Sequence, residues 1–249
     1  MPAFNEPQAW ALAIFAAFCV GMAKTGLGGL GLLAVVAFAE LIPAKESTGA
    51  LLPLLIFGDI LGVAIYRRHA NWSDLAKLLP ATMVGIIFGW WLMPLIPDDA
   101  FIPLLGWLII GAVGAFAVLQ ARYPQLLLAA SRHSALGLLA GFSAGVATLL
   151  ANAAGGITSF YFLARRLDKM TFVGTAAWFF LIVNLCKVPF SIHLGLITHS
   201  ALRLDLMLLP AVLLGGLAGR FLLGRISQKM FERATILLAA VGALRLIFK

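Results

Sequence analysis

Apolar residues run along the chain in ten blocks, at about 9–22, 27–39, 47–66, 75–95, 101–119, 134–150, 157–164, 171–192, 206–223 and 234–248. A helix crossing a membrane needs about 20 apolar residues, so the long blocks predict crossings and the chain predicts an all-α, polytopic membrane protein. The first, second, sixth and seventh blocks are short. Each short pair is split by a glycine doublet, Gly28-Gly29 in one and Gly155-Gly156 in the other.

The two halves match in more than these doublets. Leu78-Leu79-Pro80-Ala81 with Gly85 and Gly89 recurs as Leu208-Leu209-Pro210-Ala211 with Gly215 and Gly219, at an offset of 130. The doublets and the pair Thr48 and Thr175 recur at an offset of 127. The shared order and near-constant spacing predict an internal repeat, residues 8–120 and 133–248, within one membrane domain covering 1–249. Half-length, glycine-broken segments at matching places in two repeats are the pattern from which transporters build their binding sites.

Composition strengthens the membrane assignment: 62% of the 249 residues are hydrophobic and 11% charged, with a mean hydropathy of +1.03. A typical soluble domain carries about 25% charged residues. The length holds six to eight crossings, and no separate soluble domain is expected. The net charge of +8 is scattered between apolar blocks rather than gathered on a face with interleaved aromatics, which argues against nucleic acid as a partner. Residues 1–8 hold an acid and no base, unlike the start of a cleaved signal peptide, and are expected to be retained. Cys19 and Cys186 lie inside apolar blocks and read as buried free thiols.

Basic residues also order the loops. Those at 67–77, 120–133, 165–169 and 223–233 hold 11 of the 18 Lys and Arg and are expected to face the cytoplasm. The loops at 40–46, 95–100 and 193–205 hold only Lys45 and Arg203 and carry Glu40, Glu46, Asp98, Asp99 and Asp205. Both sets are satisfied if each broken pair enters and leaves on one side. The repeats are then inverted, each a hairpin of half-helices plus three transmembrane helices, with both termini outside. Small residues four apart at Gly85/Gly89 and Gly215/Gly219 predict close helix contacts, with a homodimer as an added option. Trp72, Trp90, Trp91 and Trp107 read as interfacial anchors or core.

Candidate chemistry concentrates at the breaks. Residues 26–31 formally satisfy G-x-G-x-x-G, but the preceding alanine-rich block is not the buried strand that a dinucleotide site requires. In hydrocarbon an unpaired N–H costs several kcal/mol, so a broken backbone is tolerated where it is buried in protein or lines a cavity. The start of a half-helix offers free N–H groups and partial positive charge to an anion. On this reading Lys24, Thr25, Gly26, Gly28 and Gly29 form one half-site, and Asn152, Gly155, Gly156, Thr158 and Ser159 the other. Lys24 would cost about 2.5–3.5 kcal/mol at mid-membrane, which makes it a functional candidate, the alternative being a side chain that snorkels to the interface. Asp59 and Lys187 lie deep in the third and eighth blocks and read as an ion pair, a proton relay, or a substrate ligand with its counter-charge. Asn184, three residues before Lys187, shares its helix face. His69, His133, His193 and His199 show no ligand spacing, so neither a metal nor another cofactor is expected. No nucleophile, base and orienting group assemble, which argues against an enzyme.

These motifs resemble the TauE/SafE sulfite exporters, also called TSUP permeases. The likeness rests on GLGGLG at 26–31 followed by PAKESTGA at 43–50, on LLP with G-x-x-x-G closing each half, and on the second-half GG with a following G-T-A at 174–176. It implies a multi-pass protein of the cell inner membrane that moves sulfite, sulfoacetate or a related small sulfur anion outward by alternating access. Uptake of another oxyanion or an organic acid, and an anion channel, are the competing expectations. The second break reads Ala-Asn-Ala-Ala-Gly-Gly rather than a longer glycine run, so the two half-sites are unequal.

Overall fold

The structure, a computed structural model, describes residues 6–97, 103, 107, 111, 122, 125 and 134–247. Among these every regular element is helical: α1 (Pro7–Thr25), α2 (Leu30–Leu41), α3 (Ala44–Tyr66), α4 (Trp72–Leu92), α5 (Ser134–Ala151), α6 (Ala154–Ala164), α7 (Lys169–His193), α8 (His199–Arg225) and α9 (Gln228–Ile247), with short 3-10 turns after α3 and α4. The crossing expected over 101–119 and the loop over 120–133 lie outside the described residues, apart from isolated positions.

Six helices, α1, α3, α4, α5, α7 and α8, are long and apolar enough to cross a membrane. The protein is a multi-pass membrane protein. Only α2 and α6, with 12 and 11 residues, are short. The expectation that all four members of the broken pairs are half-length is therefore corrected for α1 and α5, which run 19 and 18 residues. The α5 block at 134–150 falls one residue short of its helix, whereas the α1 block is shorter because Pro7, at the first position, starts the helix ahead of its apolar core. Lys24 and Thr25 likewise continue α1 past the last apolar residue.

Local chemistry sets several ends. Asn71 caps α4 by accepting from the Asp74 amide, Asp168 caps α7 by accepting from the Met170 and Thr171 amides, and Thr198 caps α8. Pro53, Pro80, Pro189 and Pro210 sit inside helices, where neighbouring helices in a bundle offset the missing backbone bond.

Helix pairs then form where glycines allow it. α4 lies along α5, and α1 along α8. A side chain at Gly85 would collide with the Phe142 carbonyl and Gly145, and one at Gly215 or Gly219 with the carbonyls of Phe18 or Met22. The two G-x-x-x-G motifs thus pack backbone to backbone within the chain, as small residues in membrane helices do. α3 packs along α7, and α2 reaches α9. A side chain on Gly31 of α2 would begin 3.7 Å from Ala23 of α1, and the two helices pack together, so the chain folds back at the first break and α2 returns beside α1. Trp72 and Trp91 are exposed, whereas Trp90 is partly buried against Phe190 and His193.

Candidate functional site

The first break is a tight reversal between α1 and α2. The amides of Gly26 and Leu27 both turn back to the Met22 carbonyl, and three short bonds, Leu30 to Leu27, Gly31 to Gly28 and Leu32 to Gly29, lead into α2. The amides of Gly28 and Gly29 find no backbone acceptor among the described residues. Tyr66 of α3 donates to the Thr25 carbonyl at 2.9 Å, pairing one of the carbonyls that the end of α1 leaves open.

The second break is shorter. Asn152 takes a left-handed backbone at φ 55°, a conformation that asparagine tolerates at a helix end. Its amide donates to the Thr148 carbonyl, and α6 begins two residues later with no side chain capping it. The Asn152 side chain holds the break to the other half of the chain: Nδ2 donates to the Thr48 carbonyl at 2.8 Å, and Oδ1 accepts from Lys187 Nζ.

The two breaks meet. A side chain on Gly28 would begin 3.7 Å from Ser159 Oγ, and one on Gly155 would begin 3.8 Å from the Gly28 carbonyl oxygen. Between them lies a cavity of about 50 Å³, walled also by Leu55 of α3, at that helix's middle, and by α7 from Phe172 to Asn184. A water needs about 10–15 Å³ by the same measure, so this space holds a few waters or the head of one small oxyanion.

A continuous polar chain runs along one side. Lys24 Nζ sits 2.8 Å from Asp59 Oδ1 and 4.2 Å above the centre of the Phe180 ring, a cation–π contact. Asp59 Oδ2 accepts from Asn184 Nδ2 at 2.7 Å, and Asn184 Oδ1 lies 3.4 Å from Lys187 Nζ. Lys187 Nζ also donates to Thr148 Oγ1 at 3.2 Å and to Asn152 Oδ1. Asp59 and Lys187 are buried at 0% and 1% exposure, and a charge that deep requires such partners. With ordinary side-chain charges the three ions sum to +1, and each half-helix start adds about half a positive charge.

Of the residues singled out from sequence, Lys24, Gly26, Gly28, Asn152, Gly155, Thr158, Ser159 and Asn184 line the cavity. Lys187 and Asp59 stand behind the lining, and Asn184 shares Lys187's face as its spacing requires. Asp59 pairs directly with Lys24, and reaches Lys187 only through Asn184. Thr25 turns away, its hydroxyl donating to the Gly216 carbonyl at 2.6 Å and lying 3.2 Å from the Gly21 carbonyl. Gly29 serves packing, since a side chain there would strike Leu238 and the α9 backbone at Thr235 and Ala239. Gly156 is buried in the first turn of α6, outside the lining.

Sequence reasoning missed Thr148 and Phe180 in the lining, and Tyr66 and Thr48 behind it. Thr148 had one available signal, its place one turn before Asn152 on the same helix face. Among the described residues no three His, Cys, Asp or Glu side chains gather into a metal-binding group.

No curated protein and no solved structure matches this chain. A family model described as sulfite exporter TauE/SafE matches residues 13–246, from the first turns of α1 to the end of α9 and across both breaks. By that match the chain belongs to the sulfite exporter TauE/SafE family, a family of membrane transporters.

Proposed function

We propose that the protein exports a small sulfur oxyanion, sulfite or the head of an organosulfonate, across the cell inner membrane by alternating access, and that the anion binds where the two glycine breaks meet. The observation that carries this reading is the shared cavity: both breaks open onto one space, beside the Lys24 side chain. Lys24 supplies the cation, with one side on Asp59 and another facing the cavity. The amides at Gly28 and Gly155 and the hydroxyl of Ser159 supply neutral donors. The volume of about 50 Å³ suits the compact head of such an anion and leaves little room for a long tail.

The packing order supports a two-fold repeat, which the loop charges orient as inverted. If α1 to α4 correspond to α5 to α8, exchanging the halves turns the pair α1 with α8 into α5 with α4, and returns α3 with α7 to itself. Both pairings occur in the bundle. Alternating access in such folds rocks one repeat against the other around a fixed site. Electrical work favours export, because with a cytoplasm negative by 100 mV each negative charge leaving gains about 2.3 kcal/mol.

The experiment is sulfite efflux from proteoliposomes under an imposed potential. Saturable efflux that accelerates when the interior is made negative is the expected result. Efflux indifferent to potential removes simple electrogenic export, and sulfite retained in the vesicles under every condition removes the reading itself.

A further inference from the structure

Thr148 differs from most of the buried threonines of these helices in how its hydroxyl is satisfied. Thr82, Thr158 and Thr175 each donate the hydroxyl proton to the carbonyl four residues back, at 2.8, 2.9 and 2.6 Å, the usual way to satisfy a hydroxyl inside an apolar helix. Thr25 gives its proton to the Gly216 carbonyl and Thr48 to the Lys45 carbonyl, and Thr235, which finds no partner among the described residues, stands outside the cavity lining. Thr148, 2% exposed on α5, makes no such bond. It accepts from Lys187 Nζ at 3.2 Å. A hydroxyl has one proton and two lone pairs. With the oxygen engaged by an ammonium, the proton has no acceptor among the described residues, and Thr148 lines the cavity.

Lys187 shows the complementary arrangement. It is 1% exposed, stands outside the lining, and has all three protons directed to Thr148, Asn152 and Asn184. No proton is left for a ligand. An ammonium bound to a hydroxyl oxygen also polarises that O–H and strengthens it as a donor.

We propose that Thr148 donates its hydroxyl proton to the bound oxyanion, and that Lys187 is a positioning residue that directs this donor without touching the anion. The proposal rests on the reading of the cavity as the anion site. Neutral donors of this kind hold an anion by direction, while Lys187 stays committed to protein acceptors.

The test uses the full chain in proteoliposomes with sulfite as the probe, comparing wild type, Thr148→Val, Thr148→Ser, Lys187→Met and the double variant Thr148→Val/Lys187→Met. Valine keeps the shape and removes the proton, so the apparent KM is expected to rise about 10- to 100-fold at unchanged kcat, the loss of one hydrogen bond to a charged partner made equally in both states. Serine restores the donor and is expected to stay within about twofold of wild type. The double variant is expected to be no worse than Lys187→Met, because the lysine acts through the threonine. Wild-type efflux with an unchanged KM in Thr148→Val overturns the proposal and leaves the site standing, as does a double variant whose losses multiply. If Lys187→Met fails to fold, the valine and serine pair still decides. A wild type that moves no sulfite overturns both this proposal and the reading beneath it.

Discussion

Removing Lys24 separates stability from transport in a way that can be worked from the structure. Asp59 is 0% exposed and has Lys24 as its ion-pair partner at 2.8 Å, with Asn184 on its other oxygen. Taking away one member of a buried pair leaves an uncompensated charge and typically costs about 3–5 kcal/mol. For a chain of this size about 1 kcal/mol moves Tm by about 2–4 °C, so Lys24→Met alone is expected to lower it by about 6–20 °C. Asp59→Asn alone should lower it by less, since Lys24 is 10% exposed and can turn toward water in the cavity. The double variant Lys24→Met/Asp59→Asn removes both charges and is expected to recover most of the lost Tm, because a neutral pair needs no counter-ion. Sulfite efflux should stay absent in the double variant, whose cavity keeps its walls and loses its cation. The assay is thermal unfolding in detergent beside efflux from proteoliposomes. Stability losses that simply add, or transport that returns with stability, refute this division of roles.

Other parts of the fold make separate predictions. Gly85→Val should destabilise the bundle by about 1–3 kcal/mol or prevent assembly, read as lost expression or Tm, because its side chain meets the Phe142 backbone rather than a movable side chain. Slight burial pushes the Asp168 carboxyl up, but hydrogen bonds from Thr171 and from the Met170 amide outweigh it and hold the carboxyl below its ordinary value. Its contribution is therefore full above the ordinary carboxylate pKa of about 3.9 and fades as pH falls through the depressed folded value. Asp168→Ala should cost about 1 kcal/mol of Tm-measured stability at pH 7 and flatten this acid limb. Asp205, 3% exposed with no partner for either carboxylate oxygen among the described residues, is expected to give a more stable protein as Asp205→Leu, by about 1–3 kcal/mol.

The parts legible in the sequence were those written in spacing along one helix. Gly28-Gly29 and Gly155-Gly156 marked both breaks because each divides a pair of short apolar blocks, whereas Gly215-Gly216 lies inside one long block and one unbroken helix, and Asn184 and Lys187 shared a face because three residues make nearly a helical turn. What stayed hidden depended on how helices approach each other. Asp59 takes Lys24 as its partner because Gly58, its neighbour, leaves room for the Lys24 side chain to pass: a side chain at Gly58 would begin 2.9 Å from Lys24 Cγ. Thr25 looked like a ligand and is instead a lock on α8, since a close approach at Gly216 and Gly219 brings a carbonyl to its hydroxyl. Thr148 looked like any buried threonine, and its difference comes from a lysine 39 residues later on another helix. The length of α1 was misjudged because the helix extends past its apolar core to Pro7 and Thr25, and α5 was read as short although its block already covered all but one residue of a helix of 18.

The central claim is that the two breaks form one anion site, and Gly155→Val tests it most directly. A side chain at Gly155 meets nothing closer than the Gly28 carbonyl at 3.8 Å, so the variant should fold, yet its methyl groups enter the shared cavity. Sulfite at about 100 times its Kd should stabilise the wild type by about 2.7 kcal/mol, read as a rise in Tm. The account predicts that Gly155→Val keeps the wild-type Tm without sulfite and loses the sulfite-induced rise. A variant that keeps the full rise would place the anion elsewhere and contradict the account.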